Sequence, residues 1–246
     1  MKKLLRVILL VCVLSMPGLS MAQLTIRFPS SDGLPITAEW YPVSDELPIL
    51  LLCHQNGYSR GEYVETALKL NKYGFNCLAI DQRVGAEVNG IRNQTADSAG
   101  KQGLKPSFED AEQDITSAIN YLYQKYNKQI IVIGSSYSAS LGLKIANGNP
   151  KILAVVAFSP GEYFADKDFL KKGMVGFSKP LLTISSRDES DAVKQLTEKT
   201  NSVLRIQYIP SDAGEHGSKV LWSDYQGHEE YWVVLMNFLD KLRFLD

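Results

Sequence analysis

The chain has 246 residues, 45% of them hydrophobic and 22% charged, with a formal net charge of −1 at pH 7. That composition suits one globular domain with a sizeable core. There is no basic run to serve a nucleic acid, and three cysteines are too few for a disulfide scaffold.

The first segment, MKKLLRVILLVCVLSMPGLSMAQ, is set aside from the fold. Lys2, Lys3 and Arg6 give it a positive start, and an apolar stretch runs to about Leu14. Ser20-Met21-Ala22 then puts small residues at the two positions a signal peptidase reads. The apolar part is shorter than the roughly 20 residues of a spanning helix, so no stable membrane insertion is expected. Residues 1–22 are thus expected to be a signal peptide, with an uncleaved anchor as the alternative. The mature protein would begin at Gln23, secreted, or periplasmic if the source is Gram-negative. Losing three positive charges takes its formal net charge to −4. Cys53 and Cys77 remain, both inside apolar strand-like runs where free cysteine acts as a small core residue.

LTIRFPS and ITAEWYP read as two early strands joined by the turn SSDGLP. LPILLLCHQ is a continuous apolar run of strand length, the mark of a strand buried on both faces. GEYVETALKLNKYG has helical spacing and a stop at Gly74, and FNCLAIDQR is a second buried strand. Residues 84–107 are polar, glycine-rich and patternless, which predicts a long loop. FEDAEQDITSAINYLYQKY puts Phe108, Ala111, Ile115, Ile119 and Leu122 on one helical stripe. QIIVIGSSYSASLGLKIA follows as strand, sharp turn and helix, then the strands ILAVVAFSP and PLLTISS. A helix from about Ser190, the strand SVLRIQYIP and a closing helix marked by Tyr231, Val234, Leu235, Phe238, Leu239 and Leu242 complete the chain. Strand and helix alternating without a linker predict one α/β domain over residues 23–246, a mostly parallel sheet covered by helices.

Ligands of such sheets bind beyond the carboxyl ends of the strands. The polar clusters HQNGYSRG, DQRVGAE, GSSYS, SRDES and DAGEHG all fall there. Ser136, Asp188 and His216 occur in the serine–acid–histidine order of α/β-hydrolases. Ser136 lies two residues after Gly134 and two before Ser138, at the apex of a nucleophile elbow. The competing reading of Ser136 is a helix N-cap. Among the three histidines, His216 lies directly after the last strand. His54 precedes the serine in a turn, and His228 stands at the entrance to the last helix. Asp188 comes first after its strand, whereas Glu189 and Asp191 read as first-turn residues favoured by the helix dipole. One oxyanion donor is the N–H of the residue after the nucleophile, Tyr137.

The motifs LLCHQNG, AIDQRVG, VIGSSYSAS, LLTISSRDE and GEHG, in this order, resemble those of α/β-hydrolases. The similarity is to compact dienelactone-hydrolase-like or esterase-like members and spans residues 23–246. It implies an eight-stranded, mostly parallel sheet with helices on both faces and no large cap domain. It also implies a serine hydrolase acting on a small carboxylic ester, thioester or amide through an acyl-enzyme, with no cofactor and no metal. The second oxyanion donor would come from Asn56, with Gln55 next. The chain departs from Gly-x-Ser-x-Gly at Ser138, a change small enough for the turn to tolerate. Tyr58 and Tyr137 are the expected aromatic neighbours of a shallow, partly wet site. The other readings are a non-catalytic binding or scaffold protein of the same fold, and a small peptidase.

The first expected outcome concerns export. The intact mass of the exported protein should match a chain starting at Gln23; a mass retaining residues 1–22 would mean an anchor.

Overall fold

The computed structural model describes residues 23–243, so the expected signal segment lies outside the described residues. Strands β1 (Leu24–Pro29) and β2 (Pro35–Tyr41) form an antiparallel pair that leads into β3 (Ile49–Cys53). Helix α1 (Val64–Lys72) crosses to β4 (Asn76–Ile80), and Gly74, at φ +86°, makes the turn between them. A two-residue hairpin, β5 (Glu87–Val88) and β6 (Ile91–Arg92), precedes α2 (Gln94–Lys101) and α3 (Glu112–Tyr126). β7 (Ile130–Ser135), α4 (Tyr137–Ala146) and β8 (Ile152–Phe158) form the central unit. The short α5 (Phe169–Gly173), β9 (Leu181–Ile184), α6 (Ser190–Thr197), β10 (Arg205–Tyr208) and α7 (His228–Leu242) close the chain.

The main sheet has eight strands in the order β1-β2-β4-β3-β7-β8-β9-β10. β1, β2 and β4 pair antiparallel, and every pair from β4 to β10 is parallel. The central strands are apolar throughout because both of their faces are covered. Along β3, Ile49, Leu51 and Cys53 join one core with α3 and α4, while Leu50 and Leu52 join the other with α1 and α7. That is the two-residue alternation of a strand with two buried faces. The segment between β8 and β9 holds only the five-residue α5, so no large cap covers the strand ends. Among the described residues no helix is long and apolar enough to cross a membrane.

Residues 84–107 depart from the expected structureless loop, since they contain the β5–β6 hairpin and α2. The Asn93 side chain caps α2 by accepting from Ala96 N–H at 2.8 Å. Thr95, fully buried, accepts from Thr37 N–H at 2.9 Å and so ties the helix to the backbone of β2. The segment has few apolar residues to show a periodicity, and these polar contacts hold it in place.

Two buried arginines fix the loops at the strand ends. Arg60 donates to Asp81 at 2.6 Å and to Glu39 at 3.3 Å, and Arg83 forks onto Asp114 while also reaching Asp32. Both arginines are nearly inaccessible, and each has two carboxylates to neutralise its buried charge.

Cys53 and Cys77 are free, buried, and on opposite faces of the sheet, one in each core. Burial pushes both thiols well above their usual ionisation range, which suppresses the reactive thiolate. A thiol reagent should therefore find two thiols in the denatured mature chain and essentially none in the native one. Fewer than two in denaturant would reveal a disulfide.

Candidate active site

Ser136 joins β7 to α4 at φ +60° and ψ −126°, a conformation that side-chain-bearing residues avoid. Its own N–H donates to Phe158 O at 2.8 Å, and its hydroxyl forms no helix cap. The N-cap reading of Ser136 therefore fails, and the hydroxyl is left to line a cleft. The turn is sharp enough that a Cβ on Gly134 would lie 2.6 Å from Ala139 Cα, so only glycine fits there.

The flanking serines have other work. Ser135 Oγ accepts from Ser218 N–H at 2.9 Å. Ser138 is fully buried; its hydroxyl donates to His54 O at 2.5 Å and accepts from the Gln82 amide. The position where the resemblance expects glycine thus carries a hydroxyl that ties α4 to the loop after β3.

His216 lies in the loop between β10 and α7 and is half-buried. Its Nδ1 meets Glu189 Oε1. Asp188, the acid expected from the sequence, is exposed and makes no side-chain hydrogen bond among the described residues. The loop after β9 explains the difference. Arg187 N–H donates to Ala213 O at 2.8 Å, and Ser190 Oγ bonds back to Arg187 O. This tight turn faces Asp188 outward and brings Glu189, at the N-terminal boundary of α6, inward. Burial alone would raise the Glu189 pKa, but hydrogen bonds from His216 and Ser159 outweigh it and hold the carboxyl at about 2. An ionised carboxylate only accepts, so the His216 proton is on Nδ1 and the Nε2 lone pair is free.

The other histidines are occupied. His54 is fully buried, which lowers its pKa to about 4 and keeps it neutral. Its Nδ1 donates to Gln55 O at 2.8 Å, and its Nε2 accepts from Gln82 N–H at 3.1 Å. His228 opens α7, where its Nδ1 meets Tyr225 O at 3.1 Å, and it does not line the cleft.

Of the three expected oxyanion donors, two are free. Neither the N–H of Tyr137 nor that of Asn56 meets a hydrogen-bond acceptor among the described residues. Gln55 N–H is already committed, donating to Glu62 Oε2 at 2.8 Å. Glu62 was not marked by the sequence reading. It is fully buried behind the site, where Ser218 Oγ donates to its Oε1 at 2.5 Å. Burial pushes its pKa up to about 7 against the lowering effect of these bonds. It binds the loop after β3 to the loop carrying His216. Gly217 completes the packing: at φ +83°, a Cβ there would lie 2.1 Å from Gln55 Oε1.

Gln55, Asn56, Phe108, Ser136, Tyr163 and His216 line a cleft of about 300 Å³. Its aromatic walls are not those expected. Tyr137 is fully buried beneath it, stacked 4.5 Å from Phe108 with its hydroxyl on Val84 O, and Tyr58 stacks instead on Trp222. Phe108 and Tyr163 take their place, Tyr163 edge-on to His216 with ring centroids 6.2 Å apart. The geometry leads to one expected outcome for the acid. Glu189→Gln should cut hydrolytic turnover on the order of 10⁴-fold, since a neutral amide no longer fixes the imidazole tautomer. Asp188→Asn should leave turnover nearly unchanged, and the reverse order would return the role to Asp188.

Comparison with known proteins agrees with this architecture. The sequence model of the family described as "Serine aminopeptidase, S33" matches residues 45–205. No curated protein matches the chain. Among solved structures, an esterase from Pyrococcus furiosus superposes with a TM-score of 0.71 at 18% identity, covering 90% of this chain and 93% of that one. A dienelactone hydrolase from Anabaena variabilis gives 0.68 at 13% identity, covering 90% and 98%. An acylaminoacyl peptidase from Pyrococcus horikoshii gives 0.60 at 15% identity, and the match takes in 89% of this chain but 41% of the peptidase. At such identities the likeness is one of fold, and it is the family match that assigns the chain. The protein belongs to the serine aminopeptidase S33 family of α/β-hydrolases.

Proposed function

We propose that this hydrolase cleaves small carboxylic esters through an acyl-enzyme, with Ser136 as nucleophile, His216 as base and Glu189 as the orienting acid. The observation that carries the reading is a strained, uncapped serine in the same cleft as a histidine whose Nδ1 is held by a carboxylate. Ser136 Oγ would attack the ester carbonyl carbon while His216 Nε2 takes the hydroxyl proton. The carbonyl electron pair moves onto oxygen, where the N–H groups of Tyr137 and Asn56 receive it. Collapse expels the alcohol, which leaves with the proton from His216. Water then attacks the acyl-enzyme by the same route and releases the acid. A scaffold that had lost catalysis would have no use for the conformational cost at Ser136, of order 1–3 kcal/mol.

Esters are favoured over amino-terminal peptides by the lining of the cleft. An aminopeptidase needs a carboxylate to hold the substrate ammonium, and the lining residues include none. Glu189 is taken up by His216, Ser159 and Ser186. A cleft of about 300 Å³ walled by Phe108 and Tyr163, with polar Gln55 and Asn56 opposite, suits a short acyl group. Export of the mature chain from residue 23 belongs to the same proposal and places the substrate outside the cytoplasm.

A fluorophosphonate probe on the mature protein should label Ser136, and Ser136→Ala should lose labelling and about 10⁶-fold in kcat. Ser138→Ala should still be labelled. Across a series of acyl esters, kcat/KM should peak at short chains, because added CH₂ groups gain less than the ~0.8 kcal/mol of full burial. A steady rise from acetyl to dodecanoyl would contradict the small-ester reading, and faster release of amino-terminal residues would favour a peptidase.

A further inference from the structure

We propose that Ser159 is a positioning residue for the acid–base pair, its hydroxyl holding the Glu189 carboxylate and the backbone beside His216 in the arrangement that presents the imidazole to Ser136. The proposal rests on the acyl-transfer reading above. Ser159 follows β8, which lies between the nucleophile strand β7 and the acid strand β9. Its Oγ donates to Glu189 Oε2 at 2.6 Å and accepts from Gly217 N–H at 3.0 Å. Its N–H donates to Ile184 O, at the end of β9, at 2.7 Å, and its carbonyl accepts from Tyr163 Oη at 2.8 Å. One residue that is 1% exposed therefore contacts the acid, the histidine loop and a wall of the cleft.

The proton count fixes the direction of these bonds. A serine hydroxyl has one proton, and Gly217 N–H can only donate to it, so that proton goes to Glu189. Oε2 then receives Ser159 and, at 3.1 Å, Ser186 N–H, which leaves Oε1 for His216. The carboxylate is locked about its last torsion. The backbone supplies a second, independent sign. Ser159 is held at φ +49°, where glycine is at ease and a side chain is not. The hydroxyl contacts offset a conformation that the backbone alone disfavours.

Ser159→Gly and Ser159→Ala separate this role from folding. Glycine relieves the positive φ and alanine keeps it, so Tm should be higher for Ser159→Gly than for Ser159→Ala. Activity should not follow that order. Both variants should lose about 10- to 100-fold in kcat toward a short acyl ester, with KM nearly unchanged, as for loss of a hydrogen bond to a charged group. Without the serine donor, more of the Glu189 charge is available to a protonated imidazole. The acid limb of the rate profile and the His216 ring titration followed by NMR should then both move to higher pH. Glu62 and Tyr163 face the same pair from the elements packed on it, and Arg187, Asp188 and Glu215 are its chain neighbours. All five are the same in parent and variants, so the difference reports Ser159. A Ser159→Gly protein with parental kcat, or with an unmoved His216 titration, overturns the proposal. A parent that neither takes the fluorophosphonate nor hydrolyses esters overturns the functional reading instead, and the titration still decides Ser159.

Discussion

The site depends on one steric constraint, the near contact of strand and helix backbones where β7 turns into α4. A Cβ at Gly134 would stand 2.6 Å from Ala139 Cα, and Ser136 is forced to φ +60° at the apex. This turn lifts the serine above the ends of the parallel strands and leaves the N–H of Tyr137 pointing out of the first helical turn with no partner. The proposed nucleophile and the proposed oxyanion donor thus arise from one backbone event. The strain is borne by packing: β7 is buried along its whole length, and seven of the residues that follow in α4 are buried with Tyr137.

Polar contacts replace the apolar packing where loops gather behind the turn. Ser138 bonds the helix to His54 O, His54 bonds to Gln55 O and accepts from Gln82 N–H, and Gln55 N–H is bound by Glu62. Glu62 and Ser135 each then bond to Ser218, two residues beyond His216. A chain of this kind is stable only if nearly every member is satisfied, since an unpaired buried group costs about 1–3 kcal/mol. It also fixes the spacing between the loop after β3, the turn at Ser136 and the loop carrying His216, which come from distant parts of the sequence.

Ser159 and Glu189 extend the same logic to the front of the site. The Glu189 carboxylate is held by three donors and remains ionised despite burial, which is the charge state that keeps a proton on His216 Nδ1. Tyr163 is fixed by the Ser159 carbonyl, so one wall of the cleft is coupled to Glu189 and His216 through a single residue.

The sequence by itself determined the fold, because its strands are buried on both faces and read as uninterrupted apolar runs, as in LPILLLC and QIIVIG. It also determined the sharp turn at Ser136, since a small residue on either side is a local requirement of such a turn, and it singled out His216 as the candidate that shares a cleft with Ser136, because so few histidines compete. Other features were beyond its reach. That Glu189 and not Asp188 meets His216 turns on which way a tight loop faces, and that is set by contacts with Ala213 and Ser159 far along the chain. Helix α2 showed no periodicity because Asn93 and Thr95 hold it through polar bonds. Glu62 follows Ser59 by three residues, a spacing that locally resembles a helix cap, yet its carboxylate turns inward to Gln55 and Ser218. Local spacing reveals periodic burial and steric turns; the partner of a polar side chain is decided only when the loops meet in three dimensions.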